Sequence, residues 1–273
     1  MAQLSPRSDA LSASGNDSLM GHQSTLPKGF SPDLHSDAAP TKLLPCHLGC
    51  HQESKKGEDG LRAQRLSIGG ERITALLVCD GHGGPAAAGL TINLLFGLFA
   101  EAAHGDASGP GLAAAASKSF RHLHERLNLA SSGTTSGTSA TLCLVNETRA
   151  EVTCCNVGDS FAILVEASDA TEPAKSKRLP IVTELTHNFR LGDDGEEQAR
   201  VRAAGAKLGR ALNRDGLPMG PLRAWPGGVM CASSIGDSDC ENYISPEVRS
   251  AAFMSAPMSL VPGLSVTASV AGP

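Results

Sequence analysis

The chain has 273 residues, of which 41% are hydrophobic and 19% charged. That is enough apolar material for one large domain or two small ones, and it excludes wholesale disorder. A net charge of −5, a pI near 6.0 and an aromatic content of 3% count against a protein built to hold nucleic acid or an anionic membrane surface.

Residues 1–45 hold eight Ser and five Pro with few β-branched residues, and are expected to form a disordered leader. From Cys46 the pattern becomes globular. Ile73 to Cys79 is an apolar run ended by Asp80-Gly81, and predicts a buried strand. Pro85 to Ala103 and Leu112 to Leu129 predict two helices, and residues 131–138 a loop. Ser139 to Val145, Glu151 to Asn156 and Phe161 to Glu166 predict three strands of an antiparallel meander. Glu196 to Ala204 predicts a helix with acids in its first turn and Gly205 at its stop. Residues 216–228 predict a Gly/Pro loop around Trp225, which either packs its own loop or contacts a substrate. The tail, 250–273, is uncharged, broken by Pro257, Pro262 and Gly263, and expected to be irregular.

Four of the eight cysteines, Cys79, Cys143, Cys154 and Cys155, lie in the strand-like runs and are expected to be buried thiols. Free thiols and the lack of an apolar leader predict an intracellular protein, cytoplasmic or nuclear. No helix is expected to span a membrane. Cys46, His47, Cys50 and His51 are half of a zinc knuckle without a downstream partner pair, and are expected to be loop.

The chemistry concentrates at Asp80-Gly81-His82-Gly83-Gly84. An aspartate held at a strand end, followed by a glycine whose carbonyl can approach a ligand, offers hard oxygen donors suited to Mg²⁺ or Mn²⁺. His82 can serve as a general acid near neutral pH. The same spacing also serves a plain strand-to-helix turn with a capping aspartate. Lys56-Gly57-Glu58-Asp59 brings a second pair of acids, and Asp159 in Asn156-Val157-Gly158-Asp159-Ser160 a third position. Each alone reads as a solvated charge run or a hairpin turn. Together, acids at one strand edge could hold two hard cations with a water between them.

The order of these segments resembles the PPM-type (metal-dependent, type 2C) serine/threonine protein phosphatases. The matching residues are KGED (56–59), LLVCDGHGG (76–84), SGTSAT (136–141), NVGDS (156–160), EEQARVRAAGAKLGR (196–210), GPLRAWPGG (220–228) and SIGDSDCENYISPEV (234–248), spanning Cys46 to Arg249. The KGED form looks most like a branch common in plants. The resemblance implies an α+β fold, a four-layer α-β-β-α sandwich of two antiparallel sheets. It implies a phosphoprotein substrate, no nucleic acid or membrane partner, and two Mg²⁺ or Mn²⁺ ions per site. Glu58, Asp59, Asp80 and Gly81 become metal ligands, Asp159 lies near a weaker metal position, and His82 becomes the acid that protonates the leaving oxygen.

The departures fall mainly in the last third. The family continues with a strand ending in Asp-Gly and later an Asp-Asn pair, both metal-binding, and neither pattern follows Arg249. Asp237 belongs to the earlier SIGD motif and is not a substitute. The phosphate-binding arginine of the first motif is absent, with Lys55 or Lys56 as its only stand-in. The sequence therefore reads as a domain incomplete at its C-terminus, with weakened metal sites. It predicts a monomer with an uncovered sheet edge through which copies could associate. Three functions compete: an active metal-dependent phosphatase, a catalytically impaired relative that binds partners, and a metal-binding regulatory module.

Overall fold

A computed structural model describes residues 49–52, 54, 56–130, 135–166, 181–240, 243–254 and 265–269. These belong to the unit Pro40–Pro273; the unit Met1–Ala39, and with it most of the predicted leader, lies outside the described residues.

The apolar run around Leu77 is the spine of the molecule. It is part of β2 (Glu71–His82), which follows β1 (Gly60–Ile68) and runs antiparallel to it. The helices α1 (Ala86–Ala103) and α2 (Gly109–Ala130) come next, then β3 (Gly137–Asn146), β4 (Glu151–Val157) and β5 (Phe161–Glu166). Along β2, Ile73, Ala75, Leu77 and Cys79 point to one face, as the two-residue period of a strand requires. Their partners in β3 and β4, among them Leu142, Leu144 and Cys155, face the same way. This face is covered by Leu95, Phe96 and Phe99 of α1 and by Leu112, Phe120 and Leu123 of α2. The opposite face carries Leu76, Cys143, Val145, Val152 and Cys154, and packs against Ala162 and Leu164 of β5. Covered on both sides, β3 is buried at all ten positions.

β5 therefore does not continue the β3–β4 meander. The turn Gly158-Asp159-Ser160 carries the chain into a second sheet, where β5 pairs with β6 (Ile181–Glu184). The predicted meander is corrected here: Cys143 and Cys154 need an apolar cover, and β5 supplies it from above instead of extending their sheet. The described residues thus form three layers, helices on a large sheet on a smaller one, in an α+β fold with antiparallel sheets.

The helix α3 (Gly195–Ala203) begins at Asp194, whose side chain accepts from the backbone N–H groups of Glu196 and Glu197. It leads into a hairpin of β7 (Lys207–Leu212) and β8 (Pro218–Trp225); β8 lies where the Gly and Pro content of 216–228 predicted a loop. Leu208, Leu222 and Ala224 of this hairpin pack with Leu191, Val201, Tyr243 and Ile244 in a small separate core. Trp225 is 39% exposed and donates its indole N–H to Gly209 O at 3.1 Å, so it ties the hairpin's two strands together.

The short β9 (Ile235–Gly236) pairs with the start of β3. Two pieces of the tail, expected to be irregular, are strands: β10 (Arg249–Met254) pairs with β4 and β11 (Ser265–Ser269) with β5. The edge expected to be uncovered is paired, because a free row of backbone donors and acceptors can recruit even a strand of weak intrinsic propensity. α1, with 18 residues at mean hydropathy 1.5, is long and apolar enough to cross a membrane by length and composition, and its Leu95, Phe96 and Phe99 lie in the core.

Candidate active site

The site is built where β2 runs out. β1 begins at Gly60, opposite Cys79, so the segment that feeds it, 56–59, must lie beside Asp80 and Gly81. A Cβ on Gly81 would sit 2.1 Å from the backbone oxygen of Glu58; only glycine allows this approach. The Gly81 N–H donates to Asp59 Oδ1 at 3.3 Å, and the Gly84 N–H to Glu58 Oε1 at 3.0 Å. On the other side, Thr138 Oγ1 donates to the carbonyl of Asp80 at 3.0 Å. Asp80 is thus fixed at its backbone from β3 and flanked by the segment carrying Glu58 and Asp59.

Asp80 does not cap α1. That helix starts at Pro85 without a side-chain cap, and Ser136 Oγ accepts from the Ala87 N–H at 3.1 Å. The Asp80 carboxyl is instead pushed up to about 6, first by burial, then by the negative charges of Asp159 and Asp59. Three acids predicted from distant segments therefore feel one another around β2's end. Asp159 is itself paired: Arg190 Nε donates to its Oδ2 at 2.6 Å. Lys56, the stand-in for the missing arginine, is 81% exposed and lies 3.9 Å from Glu58 Oε2; Lys55 lies outside the described residues.

His82 finds an unforeseen partner. Its Nε2 lies 2.7 Å from Oδ1 of Asp237, which is 2% exposed. Burial works against the charged imidazolium, but the hydrogen bond and charge of Asp237 outweigh it and hold the ring above its ordinary value. Asp237 was assigned only to its motif, and a contact across 155 residues leaves no local mark in a sequence. Arg190 was missed likewise, as one of many surface-like arginines. Ser136 was quoted only within its motif, yet it joins the turn to β3: its hydroxyl donates to Gly84 O at 2.8 Å, and its carbonyl accepts from the Asp237 N–H at 3.1 Å.

Asp59, Asp80 and Asp159 are hard donors that suit a hard divalent cation, and their mutual repulsion is what such a cation relieves. They are not the tightest ligand-type cluster. Among the described residues, His187, Asp194 and Glu197 have donor atoms within 4.8 Å of one another. That cluster is already satisfied: His187 Nε2 meets Asp194 Oδ2 at 2.8 Å, Asp194 caps α3, and Arg200 donates to Glu197 at 2.7 Å. Of the half knuckle, Cys50 and His51 are exposed, and Cys46 and His47 lie outside the described residues.

The family model "Protein phosphatase 2C" matches residues 48–247. The chain belongs to the protein phosphatase 2C family. It is 35% identical over 244 residues to "Probable protein phosphatase 2C 12" of Arabidopsis thaliana, covering 84% of this chain and 52% of that protein. To "Probable protein phosphatase 2C 15" of the same plant it is 34% identical, over 73% of this chain and 44% of that protein. The chain thus spans about half the length of these curated relatives. Among solved structures, a Caenorhabditis elegans sex determining protein aligns with a TM-score of 0.59 at 23% identity, over 75% of this chain and 46% of that one. The serine-threonine phosphatase 2C of Toxoplasma gondii aligns at 0.54 and 14% identity, over 75% and 71%. The structural likeness supports the same fold, and the 2C family membership accords with the acids gathered around Asp80.

Proposed function

We propose that the protein is a metal-dependent phosphoserine/phosphothreonine phosphatase acting at the end of β2. The observation that carries this reading is the convergence of the Asp59, Asp80 and Asp159 carboxylates beside His82, inside a 2C-family fold. Glu58, Asp59, Asp80, the Gly81 carbonyl and Asp159 are the groups that would hold Mg²⁺ or Mn²⁺. When bound, the cations supply a water activated for attack on phosphorus and neutralise charge on the phosphoryl oxygens. The chain's own residues do the rest. Backbone pairing of β2 with β3 keeps Asp80 in place, and the Gly81 and Gly84 N–H groups orient the two acids of the 56–59 segment. His82, half-exposed beside Asp80, would protonate the leaving serine or threonine oxygen.

The test is release of inorganic phosphate from a phosphothreonine peptide by the full chain. Release should require Mn²⁺ or Mg²⁺, stop with a chelator and be lost in Asp80→Asn. Release that survives the chelator, or none above buffer, removes this reading. A second reading, a catalytically impaired family member that binds partners, is favoured by one observation: Arg190 already neutralises Asp159. Metal-stabilised protein without phosphate release would decide for it.

A further inference from the structure

Asp237 is an expensive residue to keep where it stands. Its backbone has φ +53°, a left-handed conformation that costs a non-glycine residue on the order of 1 kcal/mol or more. Its carboxylate is buried, and among the described residues His82 is its one ion-pair partner. The surroundings are shaped to hold it. The Ser234 hydroxyl donates to Oδ2, and the backbone N–H donates to Ser136 O. Across the pairing of β9 with β3, Gly137 leaves the room the carboxylate fills; a Cβ there would lie 2.3 Å from Oδ2. Two chain segments, residues 136–137 and the stretch from Ser234 through β9, thus fix one charged group against one nitrogen of His82. Had the position served only the turn, glycine would fit it without the strain or the buried charge.

An ionised carboxylate can only accept, so at 2.7 Å the Nε2 of His82 must carry the hydrogen. His82 remains 48% exposed although its Nε2 faces a carboxylate that is 2% exposed, so the ring's open part lies away from Nε2, and among the described residues no hydrogen bond engages Nδ1. We propose that Asp237 is a positioning residue: it commits His82 Nε2–H to its own carboxylate and leaves Nδ1 as the nitrogen that hands a proton to the leaving serine or threonine oxygen. The second half rests on the phosphatase reading; the first does not. In the step itself, the water oxygen bonds to phosphorus and the P–O bond to the side chain breaks. The Nδ1–H proton moves to the departing oxygen. The neutral imidazole left behind keeps Nε2–H on Asp237 and regains its Nδ1 proton from solvent, which receives the one lost by the attacking water.

Long-range ¹⁵N–¹H spectra of the histidine rings in the full chain, assigned with His82→Ala, read the tautomer whether or not the protein turns over. The neutral His82 ring should be the Nε2–H form in the wild type and lose that bias in Asp237→Asn. Kinetically, Asp237→Asn should lower kcat for a phosphothreonine peptide ~10–100-fold with KM unchanged. It should leave p-nitrophenyl phosphate, whose leaving group needs no proton, nearly untouched, and add no loss in a His82→Ala background. Ser234→Ala, which removes another donor to the same carboxylate, should shift tautomer and rate the same way by less, and serves if Asp237→Asn does not fold. An Nδ1–H ring in the wild type, equal losses on both substrates, or a further loss without His82 would overturn the proposal. The expected tautomer in a protein that releases no phosphate would uphold the positioning and refute the phosphatase reading alone.

Discussion

Asp80→Asn separates the cost of the candidate site from its use. Burial and the neighbouring Asp159 and Asp59 carry the Asp80 carboxyl from its ordinary range up to about 6. A displacement of that size corresponds to roughly 3 kcal/mol against the ionised form, and about half of it remains once solvent screening of a half-buried group is allowed for. The sign follows from linkage: a carboxyl raised by folding favours the native state while protonated. Without metal, wild-type stability should therefore fall as pH rises from about 4 through about 6, and the loss should be complete at pH 7.5. Asn keeps the shape without the charge. In chelator at pH 7.5, Asp80→Asn should be about 1–2 kcal/mol more stable than the wild type, a rise of ~2–8 °C in melting temperature for a domain of this size. Mn²⁺ should reverse the order: at a hundred times its dissociation constant it adds about 2.7 kcal/mol to a protein that binds it, and nothing to the variant. Thermal melts of both proteins followed by circular dichroism at pH 5 and 7.5, with chelator and with Mn²⁺, test both orders. A variant less stable than wild type in chelator, or one that gains as much from Mn²⁺, would refute the argument that Asp80 is a strained carboxylate waiting for a cation.

The other predictions follow from single contacts. His82→Ala should slow a phosphothreonine peptide by ~10²–10⁴-fold and spare p-nitrophenyl phosphate; comparable losses on both would deny His82 the role of acid. Gly81→Ala would place a Cβ 2.1 Å from the Glu58 oxygen and displace the 56–59 segment. Melts should show a cost of about 1–3 kcal/mol together with loss of the Mn²⁺ response. Arg200→Ala strands Glu197, whose side chain is 4% exposed, and should cost about 3 kcal/mol in urea unfolding; a change within 0.5 kcal/mol, the range of ordinary surface substitutions, would mean that Arg249 or solvent neutralises Glu197 instead.

Local order alone determined much of this protein. Alternation and length marked β2, β3, β4 and β5, and Ala/Leu-rich runs after Pro85 and from Leu112 marked the two helices, because these elements bury a face whose period is written in adjacent residues. The placement of Asp80-Gly81-His82 at a strand end was equally legible. β1 was not: Arg62 and Arg65 break its apolar pattern, yet Arg62 lies over the Phe96 ring and donates to Ile92 O at 3.0 Å, so its charged end is satisfied at the sheet's edge. The β7–β8 hairpin hid behind its Gly and Pro, since two strands that pack only on a small core need little apolar sequence. The tail strands β10 and β11 exist because β4 and β5 offered unpaired backbone, a property of the partners and not of the tail. Tertiary structure alone decided that β5 should cross to a second sheet, that Asp59 and Asp159 should crowd Asp80, that Arg190 should pair with Asp159, and that Asp237 should meet His82. A strand's period is fixed by neighbours two residues apart; a carboxylate's partner is fixed by which elements the core brings together.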